Sequence, residues 1–241
     1  MPDKEYAFVI PVYNPDKIFL NVVKNLQINT NSKIFVINDG SKGETKHIFK
    51  NLESEKHNNN IIFLEHTSNE GKGAALKTVF NKIFYEFKNI KGVVTLDSDG
   101  QHSINDCLRV MEELKKDDKL IILGYRKFSR DIPLKSYIGN KLSRFIYKLI
   151  LRRSFKDTQT GLRGLSRDFM NECLQIRSNR FEFETEQLAL ATNKKSNIKI
   201  LEIPIETIYN KNNRTSSFRP LIDSFKIYST LFRCGLSSRK N

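Results

Sequence analysis

Five short apolar runs, at residues 6–10, 33–37, 61–65, 92–96 and 119–124, alternate with stretches whose apolar residues recur at helical spacing. That alternation is the pattern of βαβ units and predicts an α/β fold with a mainly parallel central sheet flanked by helices. Leu76, Val79, Phe80, Ile83, Phe84 and Phe87 form one helical stripe, and Ile104, Leu108, Met111 and Leu114 another. Both stripes are expected in the core. A chain of 241 residues suffices for one such domain and a modest appendage. The expected division is an α/β body over 1–206 and a basic arm over 207–241.

The residues immediately after each apolar run are more informative than the run itself. In order these are Pro11-Val12-Tyr13-Asn14-Pro15, Asn38-Asp39-Gly40-Ser41, Asn69-Glu70-Gly71-Lys72-Gly73, Asp97 to His102, and Gly124-Tyr125-Arg126. Open parallel sheets bind ligands at the carboxyl ends of their strands, where loop amides and helix N-termini converge. Polar, charged and glycine-rich residues therefore accumulate at one edge.

In Asp97-Ser98-Asp99 two carboxylates stand two residues apart as a strand ends, so both project toward one side of that edge. Such a pair repels itself unless a cation joins it, and Mg²⁺ takes one or two carboxylates together with substrate phosphate oxygens. Ser103-Ile104-Asn105-Asp106 reads as a capping box that ends the loop and opens the next helix. Gly71-Lys72-Gly73 lacks the GxxxxGK[ST] spacing of a Walker loop. It still offers backbone amides and one lysine to a diphosphate; the alternative is a helix entry that needs only flexible backbone.

Lys and Arg number 41 against 27 Asp and Glu, a net charge of +14, which favours an anionic partner or serves only as a solvated basic surface. Past residue 125 the alternation stops. The span 134–153 places Ile138, Leu142, Phe145, Ile146, Leu149 and Ile150 on one helical face and Lys141, Arg144, Lys148 and Arg152 on another. A basic amphipathic helix of this kind lies in an anionic membrane interface, packs its apolar face on the sheet, or pairs with a second subunit. From Thr207 onward the arm repeats the bias, with Arg214 and six other basic residues against Asp223 alone. No run approaches the ~18–20 apolar residues of a membrane span, so membrane contact is expected to be peripheral. Cys107, Cys173 and Cys234 lie far apart without a CxxC pair and read as thiols of a reducing cytosol. The polar start of the chain has no signal-peptide pattern. Zinc ligands, an RNP-type aromatic motif and a helix-turn-helix are all missing, which weighs against nucleic acid as the partner.

Five segments, Phe8 to Asn14, Val36 to Ser41, Asn69 to Gly73, Asp97 to His102, and Asp157-Thr158-Gln159-Thr160-Gly161-Leu162-Arg163, occur in an order that resembles the inverting family 2 glycosyltransferases. Among these the chain is most similar to the polyprenyl-phosphate, dolichol-phosphate mannose synthase-like branch, over roughly residues 6 to 230. The resemblance implies a GT-A fold, a nucleotide-sugar donor and Mg²⁺ or Mn²⁺. It implies that Pro11, Tyr13, Asp39 and Gly40 line the base and ribose pocket. Gly71, Lys72, Asp97, Ser98 and Asp99 would then serve the diphosphate, with Asp97, Asp99 and Gln101 on the metal. Arg126 and Arg163 would face phosphate groups. Asn38 stands where the branch often has Asp, and Pro15 where it often has Glu, so GDP- and UDP-sugars both stay open as donors.

The expected reaction is inverting sugar transfer to a polyprenyl phosphate at the cytoplasmic membrane face. A phosphate monoester, with a second pKa near ~6, is already ionised at neutral pH and requires no base. Arg126, Arg163 and Arg214 are then expected to orient it, since Arg donates bidentate hydrogen bonds to phosphate oxygens. The alternative is a saccharide acceptor in surface-glycan synthesis, whose hydroxyl needs a base. Asp157 is expected to serve as that base or to orient the acceptor, and Glu184 is the further carboxylate expected to face the site.

Overall fold

β1 (Glu5–Val12) carries Phe8 and Ile10 toward one apolar cluster and Ala7 and Val9 toward another, all fully enclosed. A strand buried on both faces belongs in the middle of a sheet covered by helices on each side. β1 pairs in parallel with β2 (Lys33–Asn38), Val9 opposite Phe35, and with β4 (Ile90–Thr95), Val9 opposite Thr95. β3 (Ile61–Glu65) adds to β2, also in parallel. The computed structural model describes residues 5–45, 48–49, 60–126, 134–193, 195–208 and 220–240, with the backbone alone at 44, 134–140, 220–221 and 237–240.

The described sheet has seven strands in the order β3-β2-β1-β4-β6-β5-β7. β5 (Leu120–Arg126) and the four strands above are the five expected from the alternation. β6 (Arg163–Ser166) and β7 (Lys199–Ile205) lie beyond the point where the pattern stops. β6 is inserted between β4 and β5 and runs antiparallel to both, Arg163 opposite Thr95 and Leu123. Its direction brings its start, and the 157–162 loop ahead of it, to the edge where β4 and β5 end. β7 pairs in parallel with β5 at the border of the sheet, where Pro204 is tolerated because an outer strand has ladder groups to spare.

α1 (Ile18–Asn29) and α3 (Ile104–Leu114) cover one face through Phe19, Val23, Leu26, Val110, Met111 and Leu114. α2 (Lys72–Glu86), α5 (Arg167–Cys173) and α6 (Glu182–Ala191) cover the other through Leu76, Val79, Phe80, Ile83, Phe169 and Leu188. Ser103 caps α3 as expected, its hydroxyl accepting from the Asp106 amide at 3.1 Å. The Asp106 carboxylate does not complete a reciprocal box; it accepts from the Glu206 amide at 2.8 Å.

α4 (Leu134–Leu151) does not bury the face its hydrophobicity marks. Leu142, Phe145 and Leu149 are exposed, whereas Ser143 and Tyr147 are enclosed, with Ile146 and Ile150 partly so. The buried polar groups are paired: Ser143 with the Thr158 hydroxyl at 3.1 Å and Tyr147 with the Thr185 hydroxyl at 2.7 Å. Ile138 lies outside the described side chains. α7 (Pro220–Lys240) sends Leu231 into the second cluster, and Gly235 lies so close to α4 that a Cβ there would stand 2.4 Å from the Ile150 side chain. Its outer face carries Ile222, Phe225, Phe232 and Leu236, all exposed. Among the described residues no helix is long and apolar enough to cross a membrane.

Candidate active site

A cavity of about 960 Å³ opens at the carboxyl ends of the parallel strands. Pro11, Tyr13, Asp39, Gly71, Lys72, Asp97, Ser98, Asp99, Gln101, Arg126 and Glu184, each expected at the site, line it. Because the sheet order sets β2, β1 and β4 apart from β5, Asp39, Pro11–Tyr13 and Asp97–Gln101 share one half, while Arg126 belongs to the other.

Asp39, at the end of β2, is buried and fully engaged. Its carboxylate accepts from the amides of Glu70 (2.9 Å) and Gly71 (2.8 Å) and from the Asn69 side chain (3.1 Å), with His66 Nδ1 at 2.8 Å. It thereby holds the entry of α2 against the β2 loop. Gly71 is required there: its φ is +106°, and a Cβ would stand 2.5 Å from the Asn179 carbonyl oxygen. Asn38 bonds Glu65 (2.9 Å) and the Ser41 amide (3.0 Å), so the departure from Asp is absorbed in loop structure. Gly40 abuts the Ser68–Asn69 backbone and shapes the loop; it does not line the cavity as expected.

Lys72 links the loop after β4 to α6. Its ammonium lies 2.7 Å from Asp97 Oδ1 and 2.9 Å from Glu184 Oε1. Burial alone would lower its pKa, but the two carboxylates raise it well above the usual lysine value. For Asp97 burial acts upward, and Lys72 followed by His102 overcomes it, holding the carboxyl below its usual range. Asp99 shows the opposite outcome: burial, then the neighbouring Asp97 charge, raises its pKa. Gly161 permits this crowding, since a Cβ there would stand 2.1 Å from Asp97 Oδ2. Among the described residues no three His, Cys, Asp or Glu side chains converge as a metal cluster. Asp97, Asp99 and Gln101 nevertheless line the same cavity and offer hard oxygen ligands, with Asp99 partly withdrawn from water, which raises its pKa. Such a donor set suits a divalent ion that takes its other ligands from phosphate.

The loop bearing these groups is strapped to the segment after β7. His102 and Thr207 form an antiparallel bridge, and the Ile208 amide donates to the Gln101 carbonyl at 3.0 Å.

Two expectations are corrected. Asp157 does not face the cavity: it is enclosed, and its oxygens accept from Arg126 Nε (2.7 Å), Arg126 Nη2 (3.3 Å) and the Gln159 amide (3.0 Å). A carboxylate held this way orients Arg126 and has no path to an acceptor proton. Arg163 is likewise fully enclosed and absent from the cavity wall. It donates to the carbonyls of Thr160 (3.0 Å) and Glu184 (2.9 Å) and to Gln187 Oε1 (2.9 Å), bracing α6 from beneath. Arg214 lies outside the described residues. Sequence reasoning missed Asn69, Arg180, Tyr147, Gln159 and Lys226 on the cavity wall, and His66 behind it. Asn69 and Gln159 lie inside motifs already singled out; a lone His66 gave no signal.

The family model described as glycosyl transferase family 2 matches residues 7–174. The chain belongs to that family. This family 2 glycosyltransferase is 34% identical over 246 residues to a UDP-N-acetylglucosamine–dolichyl-phosphate N-acetylglucosaminyltransferase of Methanococcus voltae, covering 96% of each chain. It is 27% identical over 219 residues to a dolichyl-phosphate beta-glucosyltransferase of Dictyostelium discoideum, covering 83% of this chain and 65% of the other. Its fold matches glucosyl-3-phosphoglycerate synthase of Mycobacterium tuberculosis with a TM-score of 0.69 at 14% identity, over 98% of this chain and 80% of the other. The glycosyltransferase thus has the GT-A fold expected from its motifs.

The geometry of Asp157 carries a prediction. Asp157→Asn is expected to raise the acceptor KM about tenfold by freeing Arg126, with the acidic limb of the pH–rate profile unchanged. Loss of that limb in the variant would restore Asp157 as a proton acceptor.

Proposed function

We propose that this glycosyltransferase moves a sugar, with inversion, from a UDP-sugar to a polyprenyl phosphate at the cytoplasmic face of a membrane. The observation that carries the reading is the division of the cavity. The carboxylates Asp97 and Asp99 stand with Gln101 on one side, and Arg126, locked by a buried Asp157, stands on the other. The Methanococcus relative, a UDP-N-acetylglucosamine–dolichyl-phosphate N-acetylglucosaminyltransferase, supports both donor and acceptor class.

A divalent ion held by Asp97, Asp99 and Gln101 would supply charge neutralisation at the leaving diphosphate. Pro11 and Tyr13 border the place for the nucleoside, and Gly71 and Lys72 that for its phosphates. Lys72 also holds Glu184 in an ion pair, so that carboxylate is already engaged on the cavity wall. A pre-ionised nucleophile suits such a site: an acceptor phosphate oxygen, oriented by Arg126, forms the new bond to the anomeric carbon. The bond from that carbon to the diphosphate oxygen breaks, and its electron pair leaves with the nucleoside diphosphate.

α4 and α7 supply the membrane contact in this reading. They adjoin, and expose Leu142, Phe145 and Leu149 on one and Ile222, Phe225, Phe232 and Leu236 on the other. Lys141, Lys148, Arg152 and Arg233 stand exposed among these, so apolar insertion and attraction to anionic head groups act together. Cosedimentation with vesicles containing phosphatidylserine is expected, and Phe225→Glu with Phe232→Glu should reduce it at least about tenfold. Equal binding by the double variant would refute this surface.

The test of the reaction is a thermal-shift panel of UDP- and GDP-sugars with Mn²⁺, followed by transfer to a short polyprenyl phosphate. A stabilising donor that also yields glycosylated lipid phosphate is the expected result. Transfer to soluble saccharides in its place would overturn the acceptor assignment.

A further inference from the structure

Among the described residues the cavity wall presents four cations, Lys72, Arg126, Arg180 and Lys226, and their partners divide them. Lys72 is neutralised by Asp97 and Glu184, and Arg126 is bound by Asp157. Arg180 donates to the neutral Asn69 side-chain oxygen at 2.9 Å, on the donor side of the cavity. Lys226 makes no side-chain hydrogen bond or ion pair among the described residues.

Lys226 belongs to α7, a helix anchored by Ile227 and Leu231 in the core, so its position on the wall is set by packing. One residue before it, Phe225 is 75% exposed, and Ile222, one turn earlier, is 50% exposed. Lys226 therefore stands where a charged cavity meets an apolar outer face. An amphiphile with an anionic head and a hydrocarbon tail fits that boundary: the head meets the ammonium and the tail leaves along the apolar side.

We infer that Lys226 binds the phosphate of the lipid acceptor, as a second cation beside Arg126, and so makes the C-terminal helix part of the acceptor site. The inference rests on the proposed polyprenyl phosphate acceptor and assigns a residue to it. Lys226 works by binding; it takes no part in bond making.

The same ammonium could instead grip an anionic head group of the surrounding bilayer, and the experiment separates the two sources. Transfer is measured with the full chain, saturating donor and a short polyprenyl phosphate in neutral detergent micelles, then on phosphatidylserine vesicles. Lys226→Gln is expected to raise the acceptor KM in micelles about 10- to 100-fold, the loss of one charge-assisted hydrogen bond to phosphate. The donor KM, which also reports a folded site, should stay within about twofold. Lys226→Arg is expected to recover most of the loss. A wild-type acceptor KM for Lys226→Gln in micelles overturns the assignment, and a defect confined to the anionic vesicles does so by making Lys226 a bilayer contact. If the wild-type chain itself fails to glycosylate polyprenyl phosphate while accepting another substrate, the acceptor reading falls, and this assignment with it.

Discussion

Asp99→Asn is expected to lower the transfer rate by about 10²- to 10³-fold, the scale seen when a preorganised electrostatic contact to developing charge is lost. Donor binding in the presence of Mn²⁺ should weaken in parallel, and with EDTA the variant and the wild type should bind donor alike. Stability should move the other way. Burial and the adjacent Asp97 raise the Asp99 pKa in the folded chain, so the folded state disfavours ionised Asp99. That penalty is absent below the unfolded value of about 3.9, accumulates as pH rises from there to the folded value, and is constant above it. In metal-free buffer at pH 7 the variant should therefore unfold at or above the wild-type temperature, with the difference vanishing near pH 3. Full turnover of the wild type in EDTA would remove the metal from the site.

The second large effect concerns a residue whose expected role changed. Arg163→Met is expected to destabilise the fold by about 3 kcal/mol, since it strips a buried carboxamide and two buried carbonyls of a charged donor. For a chain of this size that corresponds to a fall of roughly 6–12 °C in Tm. Loss of activity should follow loss of fold, with acceptor KM little changed in the fraction that remains folded. The opposite pattern, an unchanged Tm and a raised acceptor KM, would return Arg163 to the phosphate site.

The contrast between Arg126 and Arg163 shows where sequence reading stops. Both follow motif residues at strand boundaries, and both are arginines with phosphate chemistry available to them. Only the antiparallel entry of β6 between β4 and β5 puts Arg163 beneath α6, and a four-residue strand with one large apolar side chain has no period to detect. Asp157 turns from the cavity for the same reason: its motif is legible, but its direction depends on where Arg126 comes from β5. The five parallel strands, the Ser103 cap and the strand-end loops were legible because each is written in a local period or a local turn signal. On α4 the apolar period marks a face that stays largely outside, with Leu142, Phe145 and Leu149 exposed, since Ser143 and Tyr147 take the inner face through partners on the 157–162 loop and α6. Hydrophobicity alone orients a helix when nothing polar competes for the buried side.

The bridge between His102 and Thr207, with the Ile208–Gln101 hydrogen bond beside it, bears on how this family could diversify. Recombination that exchanged C-terminal arms among relatives would keep the Asp97–His102 loop on its own strap only if the crossover fell after residue 208. A junction a few residues earlier would import a foreign strap and disturb that loop although its own sequence had not changed. Interchangeable C-terminal arms in this lineage should therefore begin downstream of the strap, and the residues that form it should travel with the Asp97–His102 loop.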